Sequence, residues 1–175
     1  MLITDWEDRW ANHTDAQLRQ YIISPGEEQQ RRHQSYIQPV LEHINPRTVL
    51  DIGGGTGEFG KQLSLSIDIE YTVLDNERMR EYLWEDAKFI PMGNVIGQYD
   101  LVVNTNSFGE TTIEIVTNYI RQIEAAKCKY FYTVNRNIRQ VSFHEYPLEN
   151  WKPFIDRSWP MNIHFHEFLG ELMLC

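Results

Sequence analysis

Apolar residues occur along this chain in short runs that are separated by polar and glycine-containing segments. Short apolar runs bounded by turn residues are typical of buried strands. The runs that predict strands are residues 48–52, 70–74, 88–90, 101–105 and 130–134. Because helical patterns alternate with these runs, we expect a parallel sheet with helices on both faces.

The clearest helix lies between the fourth and fifth predicted strands. Its apolar stripe at helical spacing consists of Ile113, Val116, Ile120 and Ile123. Thr111 and Glu114 stand at its start with the spacing of a capping box. After the fifth strand, residues 151–159 and 162–174 have strand character and predict an antiparallel hairpin that completes a sheet of seven strands.

Residues 1–45 predict a helical extension that belongs to the same domain. Ser24, Pro25 and Glu27 have the pattern of a helix start, and Pro39 within that helix is expected to kink or divide it. An earlier apolar face at helical spacing is formed by Trp6, Trp10, Leu18, Tyr21 and Ile22. We expect the aromatic side chains, together with Tyr36, to attach the helices to the sheet, and a lid over a ligand is the alternative.

A glycine cluster follows the first predicted strand, in the segment VLDIGGGTGEFG at residues 49–60. Consecutive glycines let the backbone approach a ligand where a Cβ atom would collide. The helix predicted after them would point its free N–H groups at the same space. The segment therefore predicts a cradle for a nucleotide-like ligand.

Two acids flank this cradle, Asp51 within the first strand and Asp75 at the end of the second. An acid in the position of Asp75 usually binds ribose hydroxyls. A carboxylate in the position of Asp51 would repel a pyrophosphate, but it would attract the cationic amino acid part of S-adenosylmethionine. The acid and the glycines after it therefore resemble the first motif of the class I S-adenosylmethionine-dependent methyltransferases.

Three further strings extend this resemblance: DLVVNTNSFGE at residues 100–110, YFYTVNR at 130–136 and HFHE at 164–167. They resemble the sugar O-methyltransferases that accompany polysaccharide and glycosylated natural-product pathways. The resemblance implies a Rossmann-like class I methyltransferase fold over residues 46–175, with a seven-stranded, mostly parallel sheet. It also implies an enzyme that uses S-adenosyl-L-methionine to methylate a hydroxyl of a small molecule, a sugar or glycan precursor.

Ligands of open α/β sheets bind beyond the carboxyl ends of the strands. The residues expected to hold the cofactor are Asp51, Gly53, Gly54, Gly55, Thr56, Gly57, Asp75, Asn76 and Asn104. The residues expected to hold the acceptor are Asn106, Ser107, Asn135 and Arg136. Amides, a hydroxyl and an arginine suit a polyhydroxylated ligand, which needs many fixed hydrogen bonds. The alternative is that the asparagines cap turns.

Methyl transfer to a hydroxyl needs a group that removes its proton. His144, in the loop after the fifth strand, is one candidate base because histidine exchanges protons near neutral pH. Glu110, at the start of a helix, is the other. A surface residue without a catalytic role is the alternative for His144. His164 and His166 are expected instead to share one face of the last strand and to fill it.

Two other functions are compatible with the motifs. Gly55, Gly57 and Gly60 also match the dinucleotide pattern GxGxxG, and Asp75 lies at about the expected distance, which permits a NAD-dependent oxidoreductase or epimerase. A non-catalytic binding or assembly protein that keeps the methyltransferase fold is the second alternative. The first predicts binding of NAD, and the second predicts cofactor binding without turnover.

Charge, cysteine spacing and apolar runs limit the classes of partner that we expect for this chain. The net charge of −9 and the lack of a lysine and arginine cluster argue against nucleic acid. The two cysteines, Cys128 and Cys175, have no zinc or disulfide spacing, and the acids show no tight metal-binding spacing, so we predict no metal. With no signal-peptide pattern at the N terminus and no apolar run of about 18 residues, we expect a cytoplasmic protein without membrane contact.

Overall fold

The computed structural model describes residues 14–16, 27–136 and 141–173. The helices whose bounds lie within these residues are α1 (Glu27–His43), α2 (Glu58–Ser64) and α3 (Ile113–Ala125). The strands are β1 (Thr48–Ile52), β2 (Glu70–Asp75), β3 (Lys88–Pro91), β4 (Leu101–Thr105), β5 (Tyr130–Arg136), β6 (Trp151–Ser158) and β7 (Phe165–Leu172). Short 3-10 turns occupy Glu77–Tyr82, Phe108–Glu110 and Phe143–Glu145.

The seven strands form one sheet in the order β3-β2-β1-β4-β5-β7-β6. Strands β1 to β5 pair in parallel, and β7 pairs antiparallel with both β5 and β6. This arrangement confirms the predicted Rossmann-like class I methyltransferase fold. The strand order reverses between β1 and β4, and the carboxyl ends of these two strands therefore border the crevice in which such sheets bind ligands.

Side chains that alternate along the strands divide the core between the two faces of the sheet. One face packs against α3, with Leu50 and Val102 among its buried residues. The other packs against α1 and α2, with Val49 and Val103 facing Tyr36 and its neighbours. Tyr36 is fully buried there, so this aromatic residue attaches α1 to the sheet as expected. In the described ranges, no helix is both long enough and apolar enough to cross a membrane.

The predicted capping box at the start of α3 is wrong. The N-cap is Thr112, one residue later than predicted. Thr111 is buried, and its hydroxyl donates a hydrogen bond to the carbonyl oxygen of Thr112 at 3.1 Å. The Thr112 side chain instead hydrogen-bonds the Glu114 carboxylate, and this contact lowers the pKa of Glu114.

The sequence predicted that Pro39 kinks or divides the helix that contains it; a kink at this residue stays a prediction. Helix α1 continues through this residue to His43, so Pro39 does not divide it. The predicted helix start at Ser24 and the aromatic residues Trp6 and Trp10 lie outside the described residues. The last strand also starts later than predicted, at Phe165.

Candidate functional site

The glycine cluster turns tightly around the carboxyl end of β1. Gly53, Gly55 and Gly57 have positive φ angles of 71°, 58° and 81°, a conformation that side chains with a Cβ atom rarely adopt. The N–H of Trp84 donates to the carbonyl oxygen of Thr56 at 2.9 Å, which ties the loop to the segment that follows β2. Residues 53–57 therefore form a tight loop at the position of the predicted cradle, and ligand binding by this loop stays a prediction.

Asp51 lies directly beneath this cradle and is only 1% exposed. A Cβ atom on Gly54 would lie 2.6 Å from the Asp51 Cγ atom, so the absent side chain is what makes room for the carboxylate. The Tyr71 hydroxyl donates a hydrogen bond to Asp51 Oδ2, whereas Oδ1 is buried without a partner. A buried oxygen without a partner is uncommon, and it fits a hydrogen-bond donor supplied by a ligand.

Burial raises the pKa of Asp51 to about 7, the Tyr71 hydrogen bond opposes this shift, and the nearby Asp75 charge adds to it. Burial and the same carboxylate raise the pKa of the Tyr71 hydroxyl well above its usual range, so Tyr71 keeps its proton and acts as donor. Near neutral pH, Asp51 is therefore divided between its neutral and ionised forms. A cation at the cradle would favour the ionised form.

Asp75 ends β2 beside the cradle and is 2% exposed. Its Oδ2 accepts from the Gly55 N–H at 2.7 Å, and its Oδ1 accepts from the Asn76 N–H at 2.6 Å. Burial raises the pKa of this carboxyl and the two backbone N–H groups oppose the shift. Since a carboxylate oxygen can accept more than one hydrogen bond, both oxygens keep capacity for ligand hydroxyls.

Gly60 lies in α2 against the same tyrosine. A Cβ atom at this position would lie 2.4 Å from the Tyr71 ring, so Gly60 allows α2 to approach β2. The third glycine of the GxGxxG pattern thus has a packing role that does not depend on a dinucleotide.

The side-chain amide of Asn104 is fully buried and fully hydrogen-bonded. Its Nδ2 donates to the Ile52 carbonyl oxygen at 2.7 Å and to the Ser107 hydroxyl. Its Oδ1 accepts from the Phe108 N–H at 3.1 Å and from Asn135 Nδ2 at 2.8 Å. These four bonds use the capacity of the amide. The predicted contact between Asn104 and the cofactor stays a prediction. To make this contact, the Asn104 side chain would have to lose one of its four hydrogen bonds.

Asn135 is also fully buried. Its Oδ1 accepts from the Gly109 N–H at 3.1 Å, and its Nδ2 also donates to the Thr133 hydroxyl at 2.6 Å. The two asparagines thus hold the 3-10 turn Phe108–Glu110 against the ends of β4 and β5. This is the turn-capping role that the sequence left open.

Asn106 and Arg136 lie at the same edge of the sheet. Asn106 has a positive φ of 63°, and its Nδ2 donates to the Tyr36 hydroxyl at 2.8 Å. The guanidinium carbon of Arg136 lies 5.3 Å from the centre of the Phe165 ring, and this side chain is exposed. Asn106 therefore connects α1 to the crevice, while Arg136 can reach a ligand from solvent.

The two candidate bases lie in short turns at this edge. Glu110 ends the turn that the asparagines hold, and its N–H donates to the Ser107 carbonyl oxygen at 3.0 Å. His144 is exposed, and its ring centre lies 5.5 Å from that of His166. Because His166 stands opposite Asn135 in the strand register, His144 lies near the carboxyl end of β5.

The prediction for the last two histidines is only half right. His166 is buried on β7, but His164 precedes the strand and is exposed. His166 stacks on Phe143 with ring centres 4.1 Å apart, and its Nε2 lies 2.6 Å from Asp156 Oδ1. The sequence did not indicate this imidazole and carboxylate pair, because it depends on the register of β6 against β7. No group of three or more possible metal ligands occurs among the described residues.

Comparisons with known proteins give a fold. No family model matches the sequence, and no curated protein matches it. The structure is similar to magnesium protoporphyrin IX methyltransferase from Synechocystis PCC 6803 with bound SAM, at 12% identity over 94% of both chains and a TM-score of 0.73. It is equally similar to the PH0226 protein of Pyrococcus horikoshii, at 12% identity, 97% of this chain, 99% of that chain and a TM-score of 0.73.

A third similar structure is a chain from the complex of the Haloferax volcanii Trm112 methyltransferase activator. It has 13% identity and a TM-score of 0.69, with 99% of this chain and 98% of that chain covered. At these identities the similarity establishes the fold alone. That fold is the class I methyltransferase fold, over nearly the whole chain.

Proposed function

We propose that this chain is an S-adenosylmethionine-dependent methyltransferase that methylates a hydroxyl of a small molecule, a sugar or glycan precursor. The observation that carries the proposal is the buried Asp51 carboxylate beneath Gly54, with one oxygen lacking a partner. A negative group at this point attracts an ammonium group and repels a pyrophosphate. The resemblance of the motifs to sugar O-methyltransferases supports the choice of acceptor.

The cradle residues fit this cofactor in their chemistry. Asp51 would bind the ammonium group, the loop of residues 53–57 the amino acid part, and Asp75 the ribose hydroxyls. The bound cofactor supplies a methyl group already activated by its sulfonium. The chain itself must therefore align the acceptor hydroxyl and remove its proton.

The acceptor side is assigned to the loops after β4 and β5. Asn106, Ser107 and Arg136 would bind hydroxyl groups of the acceptor. Asn135 would act mainly through the turn that it holds, which carries Glu110. His144 or Glu110 would take the proton of the acceptor hydroxyl, since both lie at this edge of the sheet.

The dinucleotide alternative is opposed by the same carboxylate. A pyrophosphate on the cradle would lie close to Asp51, whose carboxylate is held there by burial and by the Tyr71 hydrogen bond. The assembly-protein alternative uses the same cofactor site as the proposed enzyme. It differs only in its prediction that the cofactor binds without turnover.

The proposal is tested by calorimetric titration of the full chain with S-adenosylhomocysteine and, in parallel, with NAD. Binding of S-adenosylhomocysteine alone supports it, whereas binding of NAD alone overturns it. Turnover is then measured with methyl-labelled S-adenosylmethionine and a panel of free sugars and nucleotide sugars. If the cofactor binds and no hydroxyl compound is methylated, the assembly-protein function replaces the enzymatic one.

A further inference from the structure

The Asp51 and Tyr71 side chains form a buried polar pair on the face of the sheet that packs against α1 and α2. Their strands are adjacent, with Asp51 opposite Val73 in the register, and the tyrosine hydroxyl reaches back to Oδ2. Tyr71 is 1% exposed, and its ring is fixed against α2 at Gly60. The hydrogen bond is therefore part of the fold, and Oδ1 remains as the oxygen that can accept from a ligand.

Within the part of the chain that the structure describes, the charged groups that face this pair are all acidic. Asp75 lies on the neighbouring strand and raises the pKa of Asp51. Glu58, at the start of α2, acts in the same direction on Tyr71. On the other side, β4 presents the apolar Val103 opposite Asp51. Among the described residues no ion pair involves Asp51, so none of these residues supplies an opposite charge to its ionised form.

We propose that this pair couples cofactor capture to proton release: Asp51 gives up a proton when it accepts the ammonium group of an amino acid ligand, and Tyr71 sets the pH at which this occurs. The inference rests on the proposed function and deepens it. The ligand keeps its ammonium proton, the Asp51 proton passes to solvent, and the Tyr71 proton stays on its oxygen. Each ligand that binds a chain with protonated Asp51 forms one charge pair and releases one proton.

The proton count follows from the ionisation of the free chain. With an Asp51 pKa of about 7, the carboxyl is roughly 90% protonated about one pH unit below that value. Binding of S-adenosylhomocysteine at about pH 6 should therefore release roughly 0.9 proton, and fewer protons as the pH rises above 7. Its affinity should rise with pH over the same interval, because a growing share of the chain is already ionised.

Tyr71→Phe is the variant that addresses the role of the tyrosine. It keeps the ring against Gly60 and removes the donor that lowers the pKa of Asp51, so proton release should extend to higher pH. The dissociation constant near pH 7 should increase roughly tenfold or more, since a hydrogen bond to a charged group is lost. The affinity should recover as the pH is raised, which loss of packing alone would not produce.

Tyr132→Phe is a matched control. The Tyr132 hydroxyl also donates to a buried carboxylate, Glu167 at 3.0 Å, but the pair lies on β5 and β7, and β4 separates β5 from β1. This variant should bind S-adenosylhomocysteine with the affinity and proton count of the wild type. Both variants are checked for folding by circular dichroism and thermal unfolding without ligand.

The experiment is calorimetric titration of the full wild-type chain with S-adenosylhomocysteine at several pH values, each in buffers of different ionisation enthalpy. The slope of binding enthalpy against buffer ionisation enthalpy gives the number of protons released. 5′-Methylthioadenosine, which lacks the amino acid part, should bind without proton release. Independently, the carbon-13 signal of the Asp51 carboxyl should titrate with a midpoint near pH 7 in the free chain and at lower pH in the complex.

The outcomes separate the two proposals. If S-adenosylhomocysteine does not bind at any pH, the proposed function is overturned. If it binds with no proton release at about pH 6, or if 5′-methylthioadenosine releases as many protons, the coupling is overturned while the proposed function stands. If the number of protons released depends on pH in the same way in Tyr71→Phe as in the wild type, the role of the tyrosine is overturned.

Discussion

Asn135 on β5 donates its Nδ2–H to Asn104 Oδ1 on the neighbouring strand β4, across 2.8 Å, and both side chains are fully buried. The same two amides also bind the backbone N–H groups of Phe108 and Gly109. Because buried polar groups are costly when unpaired, this pair fixes the turn after β4 relative to β5. The acceptor side of the crevice therefore depends on two side chains that need not touch the acceptor.

Asn135→Ala should destabilise the chain strongly for this reason. The substitution leaves the Gly109 N–H and one bond of Asn104 Oδ1 unsatisfied, and each loss costs about 1 to 3 kcal/mol. We expect the free energy of unfolding in urea to fall by about 2 to 4 kcal/mol. Asn94→Ala, at an exposed asparagine, should change it by less than about 0.5 kcal/mol. Equal effects of the two substitutions would contradict the structural role of Asn135.

The free chain should lose stability as the pH rises from about 4 to about 7. Burial raises the pKa of Asp51 in the folded chain from its ordinary value of 3.8 to about 7. Between these pH values the folded state therefore binds more protons than the unfolded state. The free energy of unfolding then falls with rising pH, by an amount on the order of 4 kcal/mol. The raised pKa of Asp75 acts in the same direction.

Asp51→Asn should remove most of this dependence, because the amide does not ionise. The measurement is the free energy of unfolding in urea at a series of pH values for the wild type and the variant. Asp156→Asn, at a carboxylate whose side chain is about half exposed, should leave the slope close to that of the wild type. A slope that persists in Asp51→Asn would place the titrating group elsewhere.

The sequence predicted the elements and the cradle because both depend on local patterns. Apolar runs gave β1 to β5 to within about two residues, since buried strands and their turns are short-range signals. Asp51 and the glycines could be proposed as a site from the sequence because their spacing within one turn determines their geometry, and their role in binding stays a prediction. Helix α3 begins one residue later than predicted. The hydroxyl of the buried Thr111 donates to the Thr112 carbonyl oxygen instead of capping the helix.

The contacts between strands could not be predicted in the same way. The Tyr71 hydroxyl reaches Asp51 from the adjacent strand, and Asn135 reaches Asn104 from another. Both contacts depend on strand order and on register, which a single sequence does not specify. The sequence therefore left ligand contact and turn capping open for these asparagines, and only the hydrogen-bond partners show that Asn104 and Asn135 cap the turn.

Gly54→Ala should abolish tight cofactor binding and destabilise the chain. The new Cβ atom would lie 2.6 Å from the Asp51 Cγ atom, so either the loop or the carboxylate must move. We expect the affinity for S-adenosylhomocysteine to fall at least tenfold, measured by calorimetry. Asp51→Ala removes the contacts with Cγ and Oδ2 but keeps the Cβ atom at 2.9 Å, so in Gly54→Ala combined with Asp51→Ala this partial relief of the clash should restore part of the stability but not the binding. Gly93→Ala is the control, because its nearest contact would be at 3.8 Å.

The candidate bases can be separated by His144→Gln and Glu110→Gln once an acceptor is identified. Loss of a general base typically slows the chemical step by about two orders of magnitude or more, so one of the two should reduce kcat to that extent. The affinity for S-adenosylhomocysteine should not change, because neither residue belongs to the cradle. His164→Gln, which removes an exposed histidine before β7, should retain full activity. If both candidates keep wild-type kcat, the proton leaves by another route, and the buried His166 with its Asp156 partner becomes the next pair to substitute.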